Sequence, residues 1–349
     1  STANPGDVID GGAGNDVFKL SIAGTLTANT IHNISGLELV AVEEVSVNNF
    51  QVTDTAANTY HVVDLALGQS VTTIGVNSSS AGGKTLFKNM AGIPTLKAAS
   101  GHGDITVDNV AAAVAGTADV QNVELFNYSD GAGASGTITL DNVEVINVDV
   151  QGVNLFAALT AAKALTYTFT GNGYYYGVAD VANTVYSIDA SATAGLGINV
   201  GVSPVTATYA VTMTGGAGPD QLIIGSDWSK YITFDGGDGT DTLEIDDADD
   251  ITSTSTVNLT SVEVLQIDSR DATAYNLKHL PTVTAVTANA ANGANAATIS
   301  NMTAANSTVT VTETGTEGII GTMAIDGASD TLNLTIGTGL AGGSTHTLV

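Results

Sequence analysis

Alternation at period two recurs along this chain, and helical periodicity is nearly absent. Thr137–Leu140, Val143–Val145, Leu165–Thr170, Val205–Thr214, Thr308–Thr312 and Leu332–Ile336 all show this alternation, most of them rich in Thr and Val. Threonine and valine carry two heavy groups on Cβ and sit well on a pleated surface, so these runs predict strands. Only Val110–Val114 and the Ala-rich Leu155–Leu165 look helical. Gly, Asn, Asp and Ser clusters separate the strands, and these residues tolerate left-handed turns. The chain is expected to be all-β.

Composition then narrows the kind of β protein. Among 349 residues there are 49 threonines and 40 glycines, but aromatics are 5% and tryptophan occurs once. Hydrophobic residues reach 43% and are mostly small. A chain poor in large core residues suits a thin stack of coils. One phrase, a small polar residue followed by a branched apolar residue, Glu and an apolar residue, recurs at Gly36–Leu39, Asn122–Leu125, Asn142–Val145 and Ser261–Val264. The separation of Glu124 from Glu144 is close to the length of one solenoid coil. A parallel β-solenoid is therefore expected, with an array of β-sandwich domains as the alternative.

Charge excludes several functions. Eight basic residues against 35 acidic ones leave a net charge of −27, although only 12% of residues are charged. No basic patch could replace the counterions of a nucleic acid, and docking on anionic lipid is disfavoured. Such a surface repels itself unless a cation neutralises it, and a divalent cation does so economically. The absence of cysteine removes disulfides, zinc–thiolate sites and thiol nucleophiles. No stretch approaches a membrane span, and the N-terminus carries no basic and apolar export signal.

The sharpest motif is Gly11-Gly12-Ala13-Gly14-Asn15-Asp16-Val17-Phe18-Lys19. It fits the calcium-binding nonapeptide GGxGxDxUx at each specified position, as do Gly215–Ile223 and Gly236–Glu244. Pro5–Asp10 reads as a worn half-repeat. Glycines let the loop turn tightly and expose carbonyl oxygens, the sixth-position Asp supplies a hard anionic oxygen, and the later apolar residue anchors a short strand. A loop from the next coil completes the coordination shell, so stacked copies bind better than isolated ones.

Candidate calcium ligands in the first motif region are Asp7, Asp10, Gly12, Gly14, Asn15 and Asp16. The later region adds Gly216, Gly218, Asp220, Asp227, Asp235, Gly237, Asp238, Gly239 and Asp241. The second and third copies start at Gly215 and Gly236, a spacing that reads as two nonapeptides and a short remainder, with Ile224–Asp235 a distorted intermediate repeat. Asp246, Asp247, Asp249 and Asp250 form a solvated loop or further ligands. The Glu of the recurring phrase is expected to be a stacked residue at the solvent edge. The motifs divide the chain into a calcium-binding lead-in at 1–20, a solenoid-like region at 21–210, a calcium-binding segment at 211–250 and a β-rich region at 251–349.

Signals for catalysis are missing. The five histidines form no HExxH helix, there is no GxSxG elbow, and the Gly-rich stretches lead into Asp and a strand rather than a helix. The chain is expected not to be an enzyme. Tyr174-Tyr175-Tyr176 reads as surface packing or a subunit contact before it reads as a sugar platform.

The nonapeptides resemble those of RTX proteins, the calcium-folded substrates of type I secretion in Gram-negative bacteria. Within that group the chain is similar to RTX-type S-layer proteins, on its Thr/Ala/Val/Gly-rich composition and on Ile34–Glu38, Ser261–Ile267 and Asp330–Ile336. It departs from them in having three motif copies and no long C-terminal array, which suggests a segment of a longer protein. The resemblance implies a cell-surface structural protein with β-roll turns that folds after export, when calcium fills the Asp loops. Its implied partners are calcium ions, further copies of itself in a lattice, and outer-membrane lipopolysaccharide through a region outside this segment. An RTX adhesin and the non-catalytic part of a secreted RTX hydrolase are the alternatives.

Overall fold

The computed structural model describes residues 7–10, 17–22, 42–46, 49–54, 61–64, 71–77, 85–99, 103–129, 136–178, 187–195, 197–202, 211–224, 231–245, 251, 256–267, 274–288, 297–302, 308–311, 319–323, 333–336 and 347–348. Strands dominate them. The helical element among the described residues is one 3₁₀ turn, Leu277–His279. No helix among them is long and apolar enough to cross a membrane.

The chain divides into two compact units, Ser1–Ala182 and Asn183–Val349. In the first, a strand pairs not with its neighbour in sequence but with the next but one. Thr95–Ala99, Val120–Phe126, Val145–Gln151 and Thr166–Gly171 lie side by side in one sheet. Thr85–Met90, Ile105–Asn109, Thr137–Leu140, Val153–Ala161 and Tyr174–Val178 form another. In the second unit Gly197–Val202, Gln221–Ile224, Thr242–Ile245, Val264–Ile267, Ala285–Ala288, Thr308–Val311 and Asn333–Ile336 follow the same rule. Every one of these pairings is parallel. Parallel partners need a crossover, and here the crossover is a strand of the other sheet, which makes each unit a β-solenoid. Antiparallel β-sandwiches are excluded.

Alternation sets the core. Val200, Leu222, Leu243, Leu265 and Val286 are consecutive partners across coils and fully buried. Leu96, Val123, Val148 and Phe169 make the matching column in the first unit. Each such side chain contributes about 1.5–3 kcal/mol by leaving water, so small residues suffice when every coil repeats the column.

Several readings change, and of Val143–Val145 only Val145 is strand. The Ala-rich run from Leu155 is strand through Ala161, because parallel partners flank it on both sides and override its helical composition. Val110–Val114 is a turn, closed by Ala113 N–H donating to Val110 O at 2.8 Å. The coil length also differs from the spacing of the Glu phrase. Glu124 faces Asp149, beyond Glu144 in the chain, so the two glutamates do not share a column. The Tyr triplet is a strand in which Tyr175 points inward, fully buried and edge-on to Phe169 at 4.8 Å between ring centroids.

Candidate functional site

Two of the nonapeptides lie in consecutive coils of the second unit. Strand Val211–Thr214 runs into the turn 215–220 and out as Gln221–Ile224; strand Tyr231–Asp235 runs into 236–241 and out as Thr242–Ile245. Gln221 pairs directly with Thr242, so the step from one motif to the next is one whole coil, and Tyr231–Asp235 is the strand of its other sheet. The turns stack through backbone bonds: Gly215 N–H donates to Asp235 O at 2.7 Å, Gly236 N–H to Thr260 O at 2.9 Å and Asp238 N–H to Gly216 O at 2.9 Å. At Gly236 a Cβ would collide with the Ser261 carbonyl oxygen of the next coil, so only glycine fits. Gly239 takes φ +131°, which a side chain would strain.

The sixth-position acids turn toward this stack. Asp220 Oδ1 accepts Ile198 N–H and its Oδ2 accepts Gly216 N–H, both at 2.6 Å. Asp241 Oδ1 accepts Asp220 N–H at 2.6 Å, and Glu263 Oε2 accepts Asp241 N–H at 2.9 Å. Three acids on successive coils thus form a column, each holding the backbone of the coil before it. Asp220 is 1% exposed and Asp241 0%. Asp241 Oδ2 is buried with no hydrogen-bond partner.

Electrostatics sharpen the picture. Burial raises the Asp220 carboxyl above its usual range, against the lowering pull of the Gly216 and Ile198 N–H groups. Burial likewise lifts Asp241 to about 7; the Asp220 N–H opposes this, and the charges of Asp220, Glu263 and Asp235 add to it. A buried carboxylate oxygen with no donor is costly, and either a proton or a cation relieves it.

The other sequence candidates fall in different places. Asp235 ends its strand half-buried and accepts from Gly237 N–H only at 3.4 Å, while Asp238 and Gly239 are exposed. Gly216 is half-buried and Gly218 buried beside them. Asp7 and Asp10 bound the strand Asp7–Asp10, paired with Val42–Ser46. Gly12, Gly14, Asn15, Asp16 and Asp227 lie outside the described residues, as do Asp246, Asp247, Asp249 and Asp250. Among the described residues no group of three or more His, Cys, Asp or Glu side chains is arranged to hold a metal ion. A hard cation beside Asp241 would therefore draw on carbonyl oxygens of the turns as well as on carboxylates, which is the donor mixture calcium takes.

Glu263 is the residue that sequence reasoning placed elsewhere. It precedes Val264 as Asp241 precedes Thr242 and Asp220 precedes Gln221, and these three are strand partners. The Glu phrase at 261–264 and the nonapeptide end in one structural position, an acid one residue ahead of the strand. Glu144 repeats the device in the first unit: it is 6% exposed and accepts Asp119 N–H at 3.0 Å. Glu124 instead sits mid-strand and pairs with Lys97 at 2.6 Å. No family model matches this chain, and no curated protein or solved structure matches it either.

Proposed function

We propose that this chain is a non-catalytic segment of a calcium-dependent surface-layer protein of a Gram-negative bacterium, exported unfolded and assembled with further copies outside the cell. The observation that carries the reading is the buried, unpartnered Oδ2 of Asp241, stacked between Asp220 and Glu263 on a Gly-Gly turn. Asp220, Asp241 and carbonyls of the turns 215–220 and 236–241 would hold the ion. Calcium would supply positive charge to Asp220 and Asp241, which the fold has withdrawn from water. Without it the column opposes folding; with it the folded state gains RT ln(1 + [Ca]/Kd), and folding is tied to a calcium-rich exterior. The chain's own residues do the rest: glycines bring the coils close, and the N–H groups of Ile198, Gly216 and Asp220 fix the carboxylates.

The test is a calcium titration by calorimetry with thermal melts in calcium and in chelator, followed by electron microscopy of the calcium-loaded protein. Saturable binding, a higher melting temperature and ordered sheets are expected. A melt indifferent to chelator overturns the calcium reading, and calcium-loaded protein that stays monomeric overturns the assembly reading.

A further inference from the structure

The first unit carries a second feature, independent of the acid column. On the outer face of the strand Val120–Phe126, Phe126 is 58% exposed. Other phenylalanines of the described core, Phe87, Phe169 and Phe234, are fully buried. A single exposed ring is not unusual by itself, but one that lines a groove among polar side chains offers an apolar surface to a ligand.

The neighbours of Phe126 give the covering group its chemistry. Parallel register places Ala99 on one side of Phe126 and Gln151 on the other. Two positions back along the same face, Glu124 lies between Lys97 and Asp149. Glu124 Oε2 accepts from Lys97 Nζ at 2.6 Å, and Asp149 Oδ1 accepts from Gln151 Nε2 at 2.9 Å. The small residues Gly75 and Ala99 leave the floor low beside this wall, and the result is a groove of about 240 Å³. One exposed ring thus shares a groove with two carboxylates, an amide and an ammonium, all half-exposed and all able to exchange water for a polar partner.

We infer that this groove binds a neutral hexose unit of a polysaccharide. A pyranose has one face of C–H groups and a rim of hydroxyls, each both donor and acceptor. The C–H face covers the Phe126 ring, and the hydroxyls meet acceptors at Glu124 and Asp149 and donors at Lys97 and Gln151. A purely apolar partner would strip water from the Lys97–Glu124 pair and from Asp149 and offer no hydrogen bond in its place, a desolvation cost that their mutual contacts do not repay. An anionic sugar would meet the chain's −27 charge. The site lies on a rigid sheet, so little ordering is needed on binding.

The experiment is isothermal titration of the whole chain with maltohexaose, cellohexaose, mannohexaose and chitohexaose, repeated on F126A, F126Y and E124Q. Circular dichroism and melting temperature accompany each variant. Wild type binds at least one of the four. F126A weakens that binding by about tenfold or more, the scale of one lost interfacial anchor, while F126Y retains it. E124Q gives a smaller loss, and all variants keep the wild-type melt because the two side chains lie on the surface. No binding to any of the four, or binding that F126A leaves unchanged, overturns the inference. A loss in F126A that F126Y fails to restore overturns the role of the ring. Self-association abolished by F126A, with no sugar binding, assigns the face to a second copy and overturns it as well.

Discussion

The two units use one device with different outcomes. At the start of the strand Val145–Gln151, Glu144 accepts Asp119 N–H, and Gly116 N–H in turn donates to Asp119 Oδ2. In the second unit Glu263, Asp241 and Asp220 repeat that arrangement over three coils, with Gly216 N–H donating to Asp220. In the first unit this bond spans the coil from Val120 to its partner Val145, and Glu144 keeps some exposure. In the second it spans the coils from Gln221 to Thr242 and on to Val264, where paired glycines close the turns and water is excluded from Asp241. Coil length is not what separates them, since Val145 to Thr166 in the first unit is as long a step as Gln221 to Thr242; the difference is a carboxylate on a Gly-Gly turn that caps a backbone N–H and keeps one oxygen buried without a partner. The same bond is a staple in one unit and, on the proposed reading, a place for a cation in the other.

Removing calcium is the strongest way to separate them. If the proposed site binds calcium, the ion at about a thousand times Kd is expected to add about 4 kcal/mol to the second unit, or about 8–16 °C in a unit of this size. Hydrogen exchange in chelator is expected to open 211–267 and spare 120–151. Equal loss of protection in both breaks the comparison.

Glycine replacement comes next. G236A sets a methyl against the Ser261 carbonyl and is expected to cost about 3 kcal/mol. G116A meets only the Asp119 carboxylate, 2.6 Å away on a side chain that can swing aside, so its cost stays below about 1 kcal/mol. Urea melts giving the two equal costs would remove the claim that close coils distinguish the units.

Neutralising acids sharpens the comparison further. D241N and D220N are expected to abolish most calcium stabilisation, while E124Q, on the exposed face, leaves it intact. In chelator D241N melts above the wild type, because the amide can be buried without charge. A lower melt for D241N in chelator would mean that the Asp220 N–H bond outweighs the burial of charge.

The smallest effect is that of pH. Asp241 sits at about 7 in the fold, above the ordinary carboxylate near 3.8. The folded state therefore takes up its proton first, and chelated protein gains stability as pH falls from about 8 to about 4. The gain is complete below the ordinary range and is lost as pH rises through about 7. D241N is expected to flatten that slope, and a slope that survives the substitution assigns it to another group.

Much of the fold was legible in the sequence because alternation at period two is local. Thr137–Leu140 and most of Leu165–Thr170, Thr308–Thr312 and Leu332–Ile336 are strands for the reason that made them readable. Leu155–Ala161 was illegible: its composition favours a helix, and only neighbouring coils make it strand. In the candidate site, Asp220 and Asp241 stood out by motif, whereas Glu263 did not, since its phrase contains no glycine. The shared signal, an acid one residue ahead of an aligned strand, appears only once register is known.

By itself, the amino-acid sequence determined a β chain of small alternating residues, a large acid excess and Gly-Gly turns ending in Asp, because each of these is written in neighbouring residues. The tertiary structure decided the length of a coil, the inward turn of Asp241, its union with Asp220 and Glu263, and the exposure of Phe126 beside Glu124 and Gln151. Those depend on which residues parallel pairing sets side by side from a whole coil away, as it does Thr85 with Ile105 and Ile105 with Ile138, and a local pattern does not encode that register.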